Sequence, residues 1–167
     1  MQATLVLPNY REMCRQAAYH VSELLHEKHI YDALPDEYKT LWYAHELLSE
    51  IEDGDRITIL VWDGNLCLGC GHGVLDDNGV YTCHIMFLRN VNAVKACLLC
   101  EEELKKYCRE YNLKLEIIRG NIAQDNRAAL RCARLFGSEN KGVNVNNMMW
   151  KNGKLTPTCT MEKKVDL

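Results

Sequence analysis

No apolar run in this chain comes near the roughly 20 residues that a membrane-spanning helix needs, and no basic segment leads into an apolar one at its N-terminus. Both absences predict a protein that is neither secreted nor membrane-embedded, and therefore cytoplasmic. Charge of one sign is scarce as well: the formal net charge is -3, and no basic stripe is longer than Lys105-Lys106 or Lys163-Lys164. A nucleic-acid binder would carry a far larger cationic footprint, so nucleic acid is not an expected partner. A small phosphate-bearing ligand stays open, because backbone N–H groups at a helix start bind phosphate without excess Lys or Arg.

Internal repeats, low-complexity segments and linkers are also missing, so the 167 residues are expected to form one domain, 1–167. That length buries about two thirds of the surface of the unfolded chain. With 47% apolar and 26% charged residues, the composition is that of an ordered globular protein. Only the tail 157–167, beyond Pro157, is expected to fray.

Ala3 to Leu7 form a short apolar run ended by Pro8, which reads as a strand. After it Tyr10, Met13, Cys14, Ala17, Val21, Leu24, Leu25 and Lys28 fall at helical spacing. Pro35 and Asp36 open a second helical pattern through Tyr38, Leu41, Trp42, His45 and Leu48, closed by Gly54. The period then changes. Ile57 to Trp62 and Leu66 to Leu75 read as strands joined by the Asp63-Gly64-Asn65 turn, and Asp77-Asn78-Gly79 turns the chain into a third strand, Val80 to Leu88. A long helix over Val91 to Tyr111, a strand over Leu113 to Ile118, a helix over Asp125 to Phe136 and a last strand over Val143 to Lys151 complete the order. The fold class is α/β (α+β), with a mixed, mainly antiparallel central sheet flanked by helices.

This order, together with Asn126-Arg127-Ala128-Ala129-Leu130-Arg131-Cys132-Ala133-Arg134-Leu135-Phe136-Gly137, resembles the GNAT acyltransferase superfamily. There the helix after the fifth strand commonly reads Asn, Ala three places on, an apolar residue at six, Tyr at seven and Gly at eleven. Asn126, Ala129, Cys132 and Gly137 fit that spacing; read without the resemblance, they are also an N-cap, small packing residues and a left-handed C-terminal Gly. The Asp63-Gly64 turn followed by Gly69 is a second similar segment.

The resemblance implies an N-acyltransferase that carries an acetyl group from acetyl-CoA to an amine on a small molecule or a protein. Such chemistry needs a cradle for the pyrophosphate, a base for the attacking nitrogen and an acid for the leaving thiolate. The implied cofactor-binding segment is Phe87, Leu88, Arg89, Asn90, Val91, Asn92, Ala93 and Val94, with Asn126, and the implied base is His84. Tyr81 and Cys83 are further candidates on the same strand, and a lone strand His is also commonly a packed or surface residue. Asn92 and Val94 stand where the family uses small residues; Asn tolerates a left-handed backbone, whereas a β-branched Val would crowd a phosphate. Ala133 stands where the family commonly has Tyr, and it cannot donate a proton. GNAT-like proteins of this size with a degenerate cradle also occur in tailed-phage morphogenesis gene clusters. That implies a second reading, a non-catalytic GNAT-fold protein in a host cytoplasm, acting in virion assembly or regulation through a protein partner or a second copy. The loop holding His29, Tyr31, Asp32 and Asp36, which would choose the acceptor, has no diagnostic pattern.

The nine cysteines offer a third reading. Cys67 and Cys70 form a knuckle-like pair and Cys97 and Cys100 a second, with His72 and His84 near in sequence, and four thiolates can hold zinc in a binding module. Against it, residues three apart on an unbroken strand face opposite ways, and Cys97 belongs to an apolar stripe. Small buried hydrophobes are the plainer role, with an odd number of reduced thiols suiting a cytoplasm, and no metal is expected.

Overall fold

The computed structural model describes residues 1–34, 36, 44–54 and 56–167. The elements are β1 (Gln2–Val6), α1 (Arg11–His26), α2 (Lys28–Tyr31), α3 (Ala44–Glu52), β2 (Ile57–Asp63), β3 (Leu66–Leu75), β4 (Val80–Phe87), α4 (Ala93–Glu110), β5 (Ile117–Ala123), α5 (Arg127–Phe136), β6 (Glu139–Lys151) and β7 (Lys154–Lys164). One seven-stranded sheet runs β1-β2-β3-β4-β5-β7-β6. Every pairing is antiparallel except that of β4 with β5.

Period-2 alternation on the strands sends opposite sets of side chains to two helical layers. Leu60, Cys70 and Met86 face α1 and α3, where they pack on Cys14, Ala17, Val21, Leu24, Leu47 and Ile51. Ile59, Tyr81 and Cys83 face the other way, against Cys97, Leu104 and Cys108 of α4. Each fully buried Leu, Ile or Val on these faces contributes about 1.5–3 kcal/mol, so both helical layers are held by apolar burial. Glu101, buried in α4, is neutralised by Lys105 at 3.0 Å and by Lys163 of β7.

Several elements depart from the sequence-based expectation. The first helix stops at His26, and Lys28 begins a separate short turn because Glu27 is extended (φ -63°, ψ 120°). Of the second helical pattern, Pro35, Tyr38, Leu41 and Trp42 lie outside the described residues, and its later part is α3. Strand β5 begins at Ile117 and not at Leu113: the chain is still turning at Glu116 and Ile117, whose N–H groups both donate to the Gly79 carbonyl. The tail expected to fray from Pro157 is instead most of β7, which is paired with β5 on one side and β6 on the other. Pro157 is tolerated inside it because β5 ends opposite Thr158 and the β6 register jumps from Asn144 to Met148 at that point, so no ladder N–H is required.

The Cys67/Cys70 argument also changes. Val61 pairs with Gly69 and Trp62 with Cys67, so β3 carries an extra residue, a β-bulge, between the two cysteines. Both therefore face α1, while Cys97 and Cys100 sit with the α4 layer on the other side of the sheet. The four thiols cannot share one ion. Among the described residues no three His, Cys, Asp or Glu side chains converge as a metal site.

Candidate active site in the cleft between the parted strands

β4 and β5 pair over only three residues, Val80 with Ile117, Tyr81 with Ile118 and Thr82 with Arg119. Beyond them β4 runs on to Phe87 and β5 to Ala123, with no further pairing between the two. The parting opens a cleft of about 740 Å³, walled by Cys83 to Arg89 on one side and Ile118 to Ala123 on the other. It reaches through the sheet. On the α4 face it meets Ala93, Cys97 and the α5 residues Asn126 to Ala129, Cys132, Ala133 and Phe136; on the α1 face it meets His29, Asp32 and Leu34.

Separated strand edges present backbone N–H and C=O groups that no neighbouring strand satisfies, which suits a ligand carrying its own amides. His29 already uses one of them: its Nε2–H donates to the Phe87 carbonyl at 2.9 Å, tying α2 to the β4 rim. A second tie joins the same loop to the tip of the β6–β7 hairpin, where Asp36 accepts the N–H groups of Asn152 and Gly153, each at 2.8 Å. Asn152 and Gly153 both have positive φ, 51° and 71°, a turn that aims successive N–H groups at one carboxylate.

Helix α4 starts at the cleft mouth. Asn90 turns the chain with φ 69°, and Asn92 caps the helix, its side chain accepting the Lys95 N–H at 3.1 Å. One of the N–H groups left free at the start of this helix is therefore occupied by the protein itself. Helix α5 is capped in the same way, Asn126 accepting from Ala129 at 3.1 Å, and it ends on Gly137 at φ 99°. Of the residues singled out from sequence, His84, Phe87, Leu88, Arg89, Val91, Ala93 and Asn126 line the cleft, whereas Asn90, Asn92 and Val94 stand outside its wall.

His84 points to the α1 face beside His72, its direct cross-strand partner. His72 is fully buried, with Nδ1 2.8 Å from Thr58 Oγ1 and Nε2 3.5 Å from Glu50 Oε2. Glu50 Oε2 in turn meets Arg56 Nε at 2.7 Å on the partly exposed rim. Burial, with smaller contributions from His72 and Arg56, lowers the His84 pKa to about 4, so the ring is neutral at neutral pH. Burial also lowers His72, against the opposing pull of Glu50. The hydrogen bond to His72 holds the Glu50 carboxyl below its ordinary value.

Arg119, Asn121 and Lys151 also line the cleft and were not singled out from sequence. Arg119 bonds Glu162 at 2.7 Å, Asn121 meets Thr160 at 3.1 Å, and Lys151 bonds Asp125 at 2.9 Å. The signal for the first two was polar alternation within an otherwise apolar strand, Ile118, Arg119, Gly120, Asn121, Ile122. Cys132 lines the wall too, where the sequence suggested an ordinary apolar helix position.

No protein-family model and no curated protein matches the chain in sequence. Solved structures match its fold over nearly the whole length. The spermidine N-acetyltransferase from Vibrio cholerae, in complex with CoA and spermine, superposes with a TM-score of 0.71 at 15% identity, covering 98% of this chain and 95% of that one. An acetyltransferase of the GNAT family from Streptococcus pneumoniae gives 0.66 at 15% identity, covering 98% and 100%. AAC(6')-Ib in complex with ribostamycin and coenzyme A gives 0.68 at 14% identity, covering 98% and 94%. The chain has the fold of the GNAT acetyltransferases.

Proposed function

We propose that this protein is an acyl-CoA-dependent N-acyltransferase that moves an acetyl group from acetyl-CoA to an amine. The observation that carries the reading is the parting of β4 and β5 after three pairs into a cleft that passes through the sheet and meets the start of α4. A pantetheine arm, with its two amides, would lie against the exposed strand edges, and the phosphates would reach the first turn of α4 from the Arg89 side. Solved structures of this fold contain CoA together with spermine or ribostamycin, which supports a donor and an amine acceptor meeting in one site.

The acceptor would enter from the α1 face, between His29, Asp32 and the β6 residues Met149 and Lys151. His84, neutral at pH 7, would take the proton of the attacking nitrogen, directly or through water. A histidine held near pKa 4 keeps a proton poorly and would pass it on to solvent in the cleft. No side chain at Ala133 can protonate the departing thiolate, so turnover is expected to be slow.

A second reading, a GNAT-fold protein without catalysis that acts through a protein partner or a second copy, is favoured by one observation. Asn92 fills the place where a bound pyrophosphate would take the Lys95 N–H. Incubation with acetyl-CoA and a panel of amines including spermine and ribostamycin, following free CoA thiol, separates the two. Amine-dependent thiol release supports the enzyme; no release above the hydrolytic background for any amine overturns it.

A further inference from the structure

On β5, Ile118 packs with Phe136, and Ile122 with Leu130 and Met161. Period-2 alternation therefore puts Arg119 and Asn121 on the opposite face of the sheet, the face that carries His84. Both line the cleft, and each is held by β7, the strand on the side away from β4. Glu162, the direct cross-strand neighbour of Arg119, accepts its Nε–H at 2.7 Å. Thr160, the neighbour of Asn121, donates its hydroxyl to Asn121 Oδ1 at 3.1 Å.

These bonds leave donors to spare. A guanidinium carries more N–H groups than one carboxylate can take, and among the described residues Glu162 is the only partner of Arg119. The Arg119 side chain is 35% exposed, whereas Glu162 is 16% exposed and stands behind it. Asn121 likewise spends its oxygen on Thr160 and keeps its side-chain N–H groups. The acids of the cleft wall are already engaged, Asp32 with Lys28 at 3.0 Å and Asp125 with Lys151 at 2.9 Å. A polyamine gains little from such a wall. A carboxylate gains charge-assisted hydrogen bonds, since the planar guanidinium can meet one carboxylate on each of two edges.

The place of Arg119 in the sheet ties this subsite to the base. Arg119 pairs with Thr82, the last residue of β4 to pair with β5, and His84 lies two residues further along the same face of β4. Diagonal neighbours of this kind are on the order of 7–8 Å apart, a span that one small molecule bridges.

We propose that the acceptor is an amino acid, its carboxylate bound by Arg119 with Asn121 and its amine presented toward His84. The inference rests on the acyltransferase reading above and names the substrate class of that site. Glu162 is a positioning residue, holding the guanidinium from behind with its free N–H groups toward the cleft.

The test is a calorimetric titration of the full-length protein, free and loaded with desulfo-CoA, with ligands matched except for the carboxylate: phenylalanine, phenylalaninamide and phenethylamine; lysine and cadaverine; histidine and histamine. The amino acid is expected to bind about tenfold or more tightly than its carboxylate-free partners, the value of one hydrogen bond to a charged group. Arg119→Gln combined with Glu162→Gln leaves no unpaired charge behind, and in that variant, folded by circular dichroism, the preference should vanish. Equal or tighter binding of the carboxylate-free amines, no binding of any matched ligand, or a preference that survives in the double variant would overturn the proposal. Failure of desulfo-CoA to bind counts against the acyltransferase reading instead, and the titration of the free protein still decides whether Arg119 selects a carboxylate.

Discussion

Asn92 Oδ1 accepts the backbone N–H of Lys95 at 3.1 Å, so the first turn of α4 is capped by its own chain at the end to which the proposed reading brings a phosphate. Replacing Asn92 by Gly releases that donor at a stability cost of a few tenths of a kcal/mol, since Gly is nearly as good a cap. Asn92→Gly is expected to tighten CoA binding several-fold by calorimetry while moving the melting temperature by no more than a few degrees. Unchanged or weaker binding would place the phosphates elsewhere.

Ala133 lines the cleft on α5 and has no proton to give. General-acid assistance contributes about 10²–10⁴-fold where it operates. Ala133→Tyr is therefore expected to raise kcat about tenfold or more, with KM for acetyl-CoA changed less than kcat. A variant that folds and binds CoA but shows no gain would mean that thiolate departure is not what limits turnover.

Acid should weaken the fold in two windows. His84 is lowered to about 4 and His72 is lowered as well, whereas histidines of the unfolded chain titrate near 6.5. Between those values the unfolded chain binds protons that the folded chain excludes, so stability is full above about pH 6.5 and falls as the pH drops toward 4. Glu50, lowered chiefly by its hydrogen bond to His72, acts in a lower window: its contribution is present above the ordinary carboxylate pKa and is lost as the pH falls through its folded value. Melting temperatures at pH 7 and pH 5 should differ less in His84→Gln than in the native protein. An unaltered difference would show that His84 is not buried in the neutral form.

Gly69 sits at the bulge in β3, and a Cβ there would meet the Met86 carbonyl oxygen and come within 2.8 Å of Phe87 Cα. Overpacking of this kind costs about 1–3 kcal/mol, and backbone atoms yield less readily than side chains. Gly69→Ala is expected to lower the melting temperature by about 5 °C or more and to weaken CoA binding by displacing the β4 rim. A melting temperature within one degree of the native value would show that β3 and β4 can part at no cost.

Much of the fold was legible because its local signals agree with its tertiary role. The Asp63-Gly64-Asn65 turn, the β-branched apolar run of β2 and the 3.6-residue stripe of α4 each point to the element observed. Strand β5 was placed too early because Leu113, Leu115 and Ile117 alternate with polar residues up to its first residue, although the chain is still turning there, whereas Arg119 and Asn121 of the strand itself line the cleft. The tail after Pro157 was misread because proline and polar alternation argue for an unpaired end. Only the register jump in β6, a tertiary feature, makes room for Pro157 inside a sheet. At the site, the sequence pointed to His84 and to the segment from Phe87. It could not reveal that β4 parts from β5 after Thr82, because a parallel pairing between strands 30 and more positions apart leaves no local signal.

The central claim is that the parted strands hold CoA, and an amide-detected NMR titration with desulfo-CoA tests it most directly, because that ligand binds without carrying a thiol of its own. Saturable shifts are expected for residues 83–97, 118–123 and 126–133, the two strand edges and the first turns of α4 and α5. No shifts at millimolar ligand, or shifts gathered away from these segments, would contradict the account.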